Sequence, residues 1–341
     1  MNQSVPTYEV DRLWPKPLPE NWLLGDVSGV AVDRHDNVWI IQRPSALTAT
    51  EGGAAQDPPA SECCVPAPPV ICFNPAGEVI HTLGGIGKVD NWPQAEHGIY
   101  VDDSDNVWTG SNGPADHVVH KLTVDGKLLL TIGELGKTSG SNDKKHLGQP
   151  ADITVDDAAN EVYIADGYGN RRIVVFDSNT GEYKRHWGSF GEVPVDGPLE
   201  PYDPSKPTIR SFRNPVHSVR IANDGLVYVT DRTNDRIQVF QKDGTYVAET
   251  FIRRETRGAG SAWDAELSKD PDQSWIFVPD GTNFKVWILN RKTLEIVGSF
   301  GRGGRAAGEF LMIHNIAIDS QSNLYTVEVR HGQRVQKFVR R

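Results

Sequence analysis

The chain has 341 residues, of which 38% are hydrophobic and 23% charged, as in soluble globular proteins with a sizeable core. Its formal net charge of −10 argues against a nucleic-acid partner, which would require a basic face. No apolar run is long enough to span a membrane, and the N-terminus lacks the basic start and apolar core of a signal peptide. We therefore expect a cytoplasmic protein that binds neither nucleic acid nor a membrane.

One sequence unit recurs six times along the chain: an apolar strand, a polar turn and a second apolar strand with a Trp or Tyr. Alternation of apolar and polar residues, broken by Asp, Asn and Gly, is typical of β-hairpins. Several copies continue into a third strand. Four-stranded units repeated in this way predict an all-β fold, a six-bladed β-propeller that forms one domain over residues 1–341. The first strands of the six copies begin near Val30, Ile99, Ile153, Val219, Ala265 and Ile316.

Two long intervals between strands, at about 44–70 and 192–211, are rich in proline and are predicted to be loop insertions. We expect the first insertion to cover the mouth of the central channel and to shape substrate access, because long loops in compact domains are usually functional. The last copy ends at "VQKFVRR" with no residues left for an outer strand. The segment "TYEVDRLW" near the N-terminus is therefore predicted to complete the last blade.

The three cysteines, Cys63, Cys64 and Cys72, lie close together in the sequence. Their odd number and the lack of a secretion signal fit a reducing compartment, and their spacing matches no usual zinc pattern. We therefore predict three ordinary thiols in a loop.

Histidine occupies one register in alternate copies of the unit. The position just ahead of the first strand holds His97, His217 and His314 in copies two, four and six, and Ser28, Ala151 and Trp263 in copies one, three and five. Since the first strand of each blade lines the channel of a propeller, the three histidines should face its axis. Three converging imidazoles are the ligand set of a catalytic zinc ion with an open fourth position. The alternative is that each histidine caps its strand or fills the channel through a hydrogen bond.

Three further residues are predicted to lie at the rim of the channel. Arg43 and Arg232 each follow the second strand of their copy, and Tyr168 lies on the corresponding turn of copy three between glycines. Beside a metal ion, the two arginines would bind a substrate carboxylate with their planar guanidinium groups. Taken singly, each would be interpreted as a solvated charge or a packing residue.

These residues carry a family resemblance. The blades resemble NHL repeats, and the segments "HGIYVD", "DGYGNRRIV", "PVHS" and "MIHNIAID" resemble the channel motifs of peptidyl-α-hydroxyglycine α-amidating lyases. The resemblance covers most of the chain. It implies that His97, His217 and His314 bind zinc, that Tyr168, Arg43 and Arg232 are catalytic, and that Met312 borders the substrate pocket.

The sequence also departs from this family. Asn315 stands where the family has an Asp that binds a structural calcium ion together with two backbone carbonyls, here those of Val30 and Ile99. Asn offers an oxygen without the charge. Gly148 and Gly169 replace the half-cystines beside the tyrosine turn, and no copper monooxygenase domain precedes the propeller in this sequence. The chemistry can therefore be shared while the substrate differs.

Three functions follow, in order of preference. The first is a zinc-dependent lyase of the amidating-lyase type that cleaves a C–N bond in a small, carboxylate-bearing α-hydroxylated amide or carbinolamine. The second is a zinc-dependent hydrolase of an ester, lactone or amide that uses a metal-bound water. The third is a binding platform without enzymatic activity, which is a common use of such repeats.

Overall fold

The computed structural model describes residues 4–341 and confirms the predicted six-bladed β-propeller. Six four-stranded antiparallel sheets form the blades, and each runs from an innermost strand to an outermost one. No helix in this described range is long and apolar enough to cross a membrane. Its helical segments are short 3-10 turns at Pro44–Ala46, Gly53–Ala55, Asp157–Ala159, Ser189–Gly191 and Arg232–Asn234.

In the first three blades, the four strands are arranged in chain order from the innermost to the outermost. Blade 1 contains β3 (Asp26–Val32), β4 (Val38–Arg43), β6 (Val70–Phe73) and β7 (Val79–Leu83). Blade 2 contains β8 (Glu96–Val101), β9 (Val107–Ser111), β10 (Val118–Leu122) and β11 (Leu128–Gly133). Blade 3 contains β12 (Asp152–Asp156), β13 (Glu161–Asp166), β14 (Arg172–Asp177) and β15 (Tyr183–Trp187).

The second half of the ring is built in the same way, except for the outermost strand of the last blade. Blade 4 contains β16 (Val216–Ile221), β17 (Val227–Asp231), β18 (Arg236–Phe240) and β19 (Tyr246–Phe251). Blade 5 contains β20 (Glu266–Leu267), β21 (Trp275–Asp280), β22 (Lys285–Asn290) and β23 (Ile296–Phe300). Blade 6 contains β24 (Ile313–Ile318), β25 (Leu324–Glu328), β26 (Arg334–Arg340) and β1 (Tyr8–Asp11). A separate short parallel pair joins β2 (Trp22–Leu23) to β5 (Val65–Pro66).

The N-terminal segment closes the ring as predicted. Strand β1 pairs antiparallel with β26, with Tyr8 opposite Arg340 and Asp11 opposite Lys337. The first strand in the sequence thereby covers the outer edge of the last blade. Closure removes an edge that would otherwise present unpaired N–H and C=O groups to solvent.

Five of the six predicted starting positions lie in innermost strands. The exception is Ala265, which lies one residue ahead of the short strand β20. The backbone N–H of Ala265 donates to the carboxylate of Asp264 at 2.7 Å instead of joining the sheet, so the innermost strand of blade 5 begins late.

A recurring geometry of the hairpin turn explains the repeated Asp and Trp of the sequence unit. In blade 1, the Asp33 carboxylate accepts hydrogen bonds from the backbone N–H groups of His35 and Asn37 and from the Trp39 indole, each at 2.9 Å. Blade 2 repeats the pattern with Asp102 and Trp108. One carboxylate thus accepts hydrogen bonds from the backbone N–H groups of the turn and also fixes the indole that packs between blades.

Buried ion pairs join the second and third strands of two blades. The Arg172 guanidinium lies 2.8 Å from Asp166 in blade 3, and that of Arg236 lies 2.8 Å from Asp231 in blade 4; all four side chains are fully buried. Removing one partner of such a pair would leave an uncompensated buried charge. This requirement explains why both blades have an Asp at the end of the second strand and an Arg at the start of the third.

The hydrophobic core consists of separate clusters between neighbouring blades. Ile41 of blade 1, for example, packs with Ile99 of blade 2, and Tyr163 of blade 3 packs with Val219 of blade 4. Six clusters of this kind follow one another around the ring. Each blade is therefore stabilised mainly by its two neighbours.

The two insertions have different positions in the fold. Residues 44–69 connect β4 to β6, the second and third strands of blade 1, and include the short strand β5. Residues 192–211 join blades 3 and 4, and the Tyr202 hydroxyl donates to the carbonyl of Arg254 at 2.7 Å. Coverage of the channel mouth by the first insertion stays a prediction.

The prediction of three ordinary loop thiols is wrong. Cys63 and Cys64 form a disulfide between adjacent residues, while Cys72 is a free thiol buried in β6. Burial raises the pKa of the Cys72 thiol, which packs between blades 1 and 2 as a small hydrophobic residue. Sequence spacing had suggested one common environment, whereas the three residues lie in a loop and in a core strand.

Deletion of residues 1–12 tests ring closure. The deletion exposes the edge of β26 and removes Tyr8, whose ring centre lies 5.6 Å from that of Phe277 and 5.2 Å from that of Phe300. We expect the free energy of unfolding in urea to fall by at least about 2 kcal/mol. Leu13→Ala is the control, because the Leu13 side chain is 77% exposed and should leave stability unchanged. Equal stability of the truncated and full-length chains would contradict a closing role for β1.

Asp235 predicts a pH dependence of stability. Burial raises the pKa of Asp235 to about 8, against about 3.9 in an unfolded chain. Between these values the unfolded chain releases the proton and the folded protein keeps it, so the free energy of unfolding falls as pH rises from about 4 to 8. Asp235→Asn should remove this dependence and be more stable than wild type at pH 9 by about 1 kcal/mol. Asp243→Asn, at an exposed site, is the control and should leave this pH dependence in place.

Candidate metal centre and active site

The three predicted histidines meet in the central channel. The ligand atoms of His97, His217 and His314 lie within 4.8 Å of one another, and all three side chains are buried. Ring centres are 4.8 to 5.2 Å apart. The alternate-blade register of the sequence therefore corresponds to one cluster on the axis, where three donors could bind a single metal ion.

Each of these histidines donates a hydrogen bond to a backbone carbonyl of the next blade. Nδ1 of His97 lies 2.6 Å from the oxygen of Ala151, and Nδ1 of His314 lies 2.7 Å from that of Ser28. Nδ1 of His217 donates to the carbonyl of Trp263. Because a carbonyl only accepts, each Nδ1 carries the proton and each Nε2 is an unprotonated acceptor. This is the tautomer that a metal ion requires when it binds Nε2.

The acceptor carbonyls belong to the same register positions in blades 1, 3 and 5. Close approach of the inner strands makes the contact possible. A Cβ atom on Gly98, which follows His97, would lie 2.6 Å from the carbonyl oxygen of Ala151, the same atom that His97 binds. Glycine at this position lets strand β8 approach blade 3 closely enough for the hydrogen bond.

Burial keeps the three imidazoles neutral. It lowers the pKa of His97 well below its usual range, with further contributions from His314, Arg43 and Arg232. The pKa values of His217 and His314 are lowered in the same way, again chiefly by burial. Three protonated imidazoles so close together would repel one another and a cation. Neutral imidazoles with fixed tautomers are instead suited to bind a divalent metal ion.

Tyr168 lies directly on this cluster. Its phenol oxygen is 2.9 Å from Nε2 of His97 and 3.0 Å from Nε2 of His217. The side chain is half-buried. The phenol oxygen is thus within hydrogen-bond distance of two of the three candidate metal ligands, as expected of a proton acceptor at such a centre.

Arg232 also contacts Tyr168. Its Nη1 donates to the phenol oxygen at 3.3 Å, and its guanidinium carbon lies 4.3 Å from the ring centre of Trp263. Nε of Arg232 is buried and has no hydrogen-bond partner among the described residues. Such a donor is suited to an anionic ligand.

Arg43 lies at the same end of the channel and is held from three sides. Its Nε donates to the carbonyl of Glu96 at 2.8 Å and its Nη2 to the side chain of Asn112 at 3.1 Å. Asp26 lies 3.7 Å from its Nη1. The positive charge of Arg43 contributes to the lowered pKa of His314, so the two groups are electrostatically coupled.

Met312 is half-buried two residues ahead of His314 and has a left-handed backbone with φ of 59°. This conformation is strained for a residue with a side chain and is often found at functional sites. A role in bordering the substrate pocket stays a prediction.

The residues at which the family resemblance places calcium do not fit that ion. Oδ1 of Asn315 accepts from the N–H of Val30 at 2.9 Å, and its Nδ2 donates to Asp264. The guanidinium of Arg220 pairs with both Asp264 and Asp152. A calcium ion here would lie beside a fixed buried cation, with the Asn315 amide already engaged.

Two glycines that stand in place of half-cystines are neighbours in space. The N–H of Gly169 donates to the carbonyl of Gly148 at 2.7 Å. A backbone hydrogen bond therefore joins the two segments in this protein.

Sequence reasoning missed the contribution of Ser28, Ala151 and Trp263 to the centre. Their register was visible in the sequence, but a carbonyl contact leaves no signal in residue identity because every residue has a carbonyl. The indole of Trp263 could have been noticed, since a large aromatic residue stands there alone among the six copies.

The chain is similar to known proteins over most of its length. The NHL repeat family matches residues 147–176 and 215–240, which lie in blades 3 and 4 and the segments that precede them. The chain is 27% identical over 99% of its length to Peptidyl-glycine alpha-amidating monooxygenase B of Xenopus laevis, of which it covers 36%. It is 26% identical over 98% of its length to Peptidyl-alpha-hydroxyglycine alpha-amidating lyase 1 of Drosophila melanogaster, of which it covers 60%.

Other similar proteins carry different names. NHL repeat-containing protein 3 of Mus musculus is 25% identical over 98% of this chain and 84% of its own length. A streptogramin B lyase structure superposes with a TM-score of 0.56 at 11% identity, covering 98% of both chains, which shows the shared fold alone. The protein is thus a six-bladed propeller in which two segments match the NHL repeat and which is similar to proteins named amidating lyase. The chain spans about a third of the Xenopus protein.

Proposed function

We propose that this NHL-repeat propeller is a zinc-dependent lyase of the amidating-lyase type. It would cleave the C–N bond of a small α-hydroxylated amide that carries a carboxylate. The observation that carries the proposal is the position of the Tyr168 phenol oxygen, 2.9 and 3.0 Å from Nε2 of two clustered histidines. A binding platform would have no need for a phenol, a guanidinium and three neutral imidazoles at one point.

His97, His217 and His314 would hold the metal ion through Nε2. When bound, zinc supplies a Lewis acid that polarises a substrate oxygen. Three histidine ligands leave a coordination position for substrate. Cobalt, nickel or iron also bind imidazole, so the identity of the metal is part of the proposal.

Tyr168 in its deprotonated form would take the proton of the substrate hydroxyl. The C–O bond would then become a carbonyl and the C–N bond would break. Return of the same proton from Tyr168 to the nitrogen would give the primary amide and restore the phenolate. An N-acyl-α-hydroxyglycine would thus yield glyoxylate and the amide, with no water consumed. Arg232, which donates to the phenol oxygen at 3.3 Å, would stabilise the phenolate.

Arg232 and Arg43 would bind the substrate carboxylate. Both lie beside the histidine cluster, and Nε of Arg232 has no partner among the described residues. A guanidinium binds a carboxylate through two parallel hydrogen bonds, which fixes its orientation as well as its affinity. This role favours an anionic substrate over a neutral one.

The products distinguish lyase from hydrolase. Metal-loaded protein is incubated with an N-acyl-α-hydroxyglycine in ¹⁸O-labelled water, and the products are analysed by mass spectrometry. A lyase gives the primary amide and glyoxylate. A hydrolase would instead give the carboxylic acid of the acyl group carrying ¹⁸O, and a binding platform would give neither product.

His217→Ala tests the metal centre. Loss of one of three ligands should reduce bound zinc at least about tenfold, measured by elemental analysis of protein purified without a histidine tag. The blade should remain folded, because the imidazole faces the channel and not the core between blades. His331→Ala, at an exposed site, is the control. Full metal content in His217→Ala would contradict a metal centre that includes His217.

Tyr168→Phe separates metal binding from turnover. The variant lacks only the phenol oxygen, so we expect unchanged zinc content and a fall in kcat of at least about a hundredfold, the usual scale of a lost proton acceptor. The two quantities are measured on the same preparation. Undiminished kcat would exclude Tyr168 as the proton acceptor.

A further inference from the structure

Trp263 contacts two different parts of the candidate site. Its backbone carbonyl accepts the hydrogen bond from Nδ1 of His217. Its indole stands edge-on to His217 and His314, with ring centres 5.8 and 5.5 Å apart. The face of the same indole lies 4.3 Å from the guanidinium carbon of Arg232. One residue thus touches the metal-binding cluster and the arginine that donates to Tyr168.

The indole is held rigidly in this position. Its Nε1 donates to the carbonyl of Gly260 at 2.8 Å, and its backbone N–H donates to the carbonyl of Pro279 at 3.2 Å. A Cβ atom on Gly281 would lie 2.8 Å from the indole ring, so glycine there leaves room for it. Trp263 is 3% exposed. It therefore forms a fixed platform and not a mobile cover.

Arg232 has few other contacts that would orient its guanidinium. The hydrogen bond from Nη1 to the Tyr168 phenol is long, at 3.3 Å, and Nε has no partner in the described chain. Stacking on an aromatic face is favourable for a guanidinium and restricts its plane. The guanidinium carbon lies 4.3 Å from the Trp263 ring centre but 5.7 Å from that of Tyr168. The indole of Trp263 is thus the closer aromatic face that holds Arg232 beside the histidines while leaving donors free.

We propose that Trp263 is a positioning residue that holds Arg232 ready for a carboxylate on the substrate. The inference rests on the proposed function, from which it takes the carboxylate-bearing substrate. It adds that selectivity for an anion depends on an aromatic residue that does not itself contact the anion.

Binding of an unreactive ligand tests this role without turnover. N-acetylglycine has the carboxylate but lacks the hydroxyl, and N-acetylglycinamide is its neutral counterpart. Calorimetry with zinc-loaded protein should show that Trp263→Leu weakens binding of N-acetylglycine about tenfold, the scale of a desolvated cation–π contact. Binding of N-acetylglycinamide and zinc content should not change, because the carbonyl that binds His217 belongs to the backbone.

A second pair of variants keeps the shape of the side chain constant. Trp263→Phe retains an aromatic face, whereas 3,4,5-trifluorophenylalanine at the same position has a face that no longer attracts a cation. We expect the phenylalanine variant to bind N-acetylglycine several-fold more tightly than the fluorinated one. Trp287→Leu is the matched control. The Trp287 ring, on the third strand of blade 5, also contacts cations, with Arg253 Cζ at 5.6 Å and Lys285 Nζ at 5.2 Å from its centre.

The outcomes separate the two proposals. Selective weakening of carboxylate binding in Trp263→Leu supports the positioning role even if no lyase activity is found, which would overturn only the proposed function. Equal loss for the charged and neutral ligands, or equal binding by the phenylalanine and fluorinated variants, would overturn the positioning role even in an active lyase.

Discussion

The centre of the molecule depends on three hydrogen bonds between imidazoles and main-chain carbonyls. Each joins an even-numbered blade to the next odd-numbered blade, from His97 to Ala151, from His217 to Trp263 and from His314 to Ser28. They fix the proton on Nδ1 and turn three Nε2 lone pairs toward one point. Without these bonds the rings could rotate, and neither a metal ion nor the Tyr168 phenol would have a defined partner.

A layer of charged and polar side chains lies in the channel beyond the neutral histidines. Arg220 follows His217 by three residues on β16, which corresponds to about 10 Å along an extended strand. It pairs there with Asp152 and Asp264, while Asn315 bonds to Asp264 and to the N–H of Val30. The layer links innermost strands of blades 1, 3, 4 and 6 to Asp264 at the start of blade 5. Arg220 thus provides a buried cation beside Asn315, one of the residues at which the family resemblance places calcium.

The layer requires the burial of several ionisable groups. Burial raises the pKa values of Asp152 and Asp264, and the Arg220 guanidinium acts in the opposite direction on both. Buried networks of this kind contribute little net stability but penalise alternative arrangements, because any unpaired member would be costly. The layer therefore ties the innermost strands of blades 1, 3, 4 and 6 to the start of blade 5 beneath the site.

Much of this protein is determined by the sequence alone. The sixfold repeat fixes six similar sheets, since each unit can bury its apolar faces only against another unit. The lack of a final outer strand indicated the pairing of β1 with β26. The alternate register of histidine placed three imidazoles on the axis, because equivalent positions of alternate blades are related by the symmetry of the ring.

Other features exist only in the tertiary structure. The partners of the imidazoles are main-chain atoms, which residue identity does not reveal. The position of Trp263 between His217 and Arg232 depends on the distance between blades 4 and 5, and the engagement of Asn315 depends on Arg220 in another blade. The late start of β20 follows from a local bond of Asp264. Sequence periodicity defines which face of a strand a residue occupies. These contacts depend in addition on the distance and register at which neighbouring blades pack.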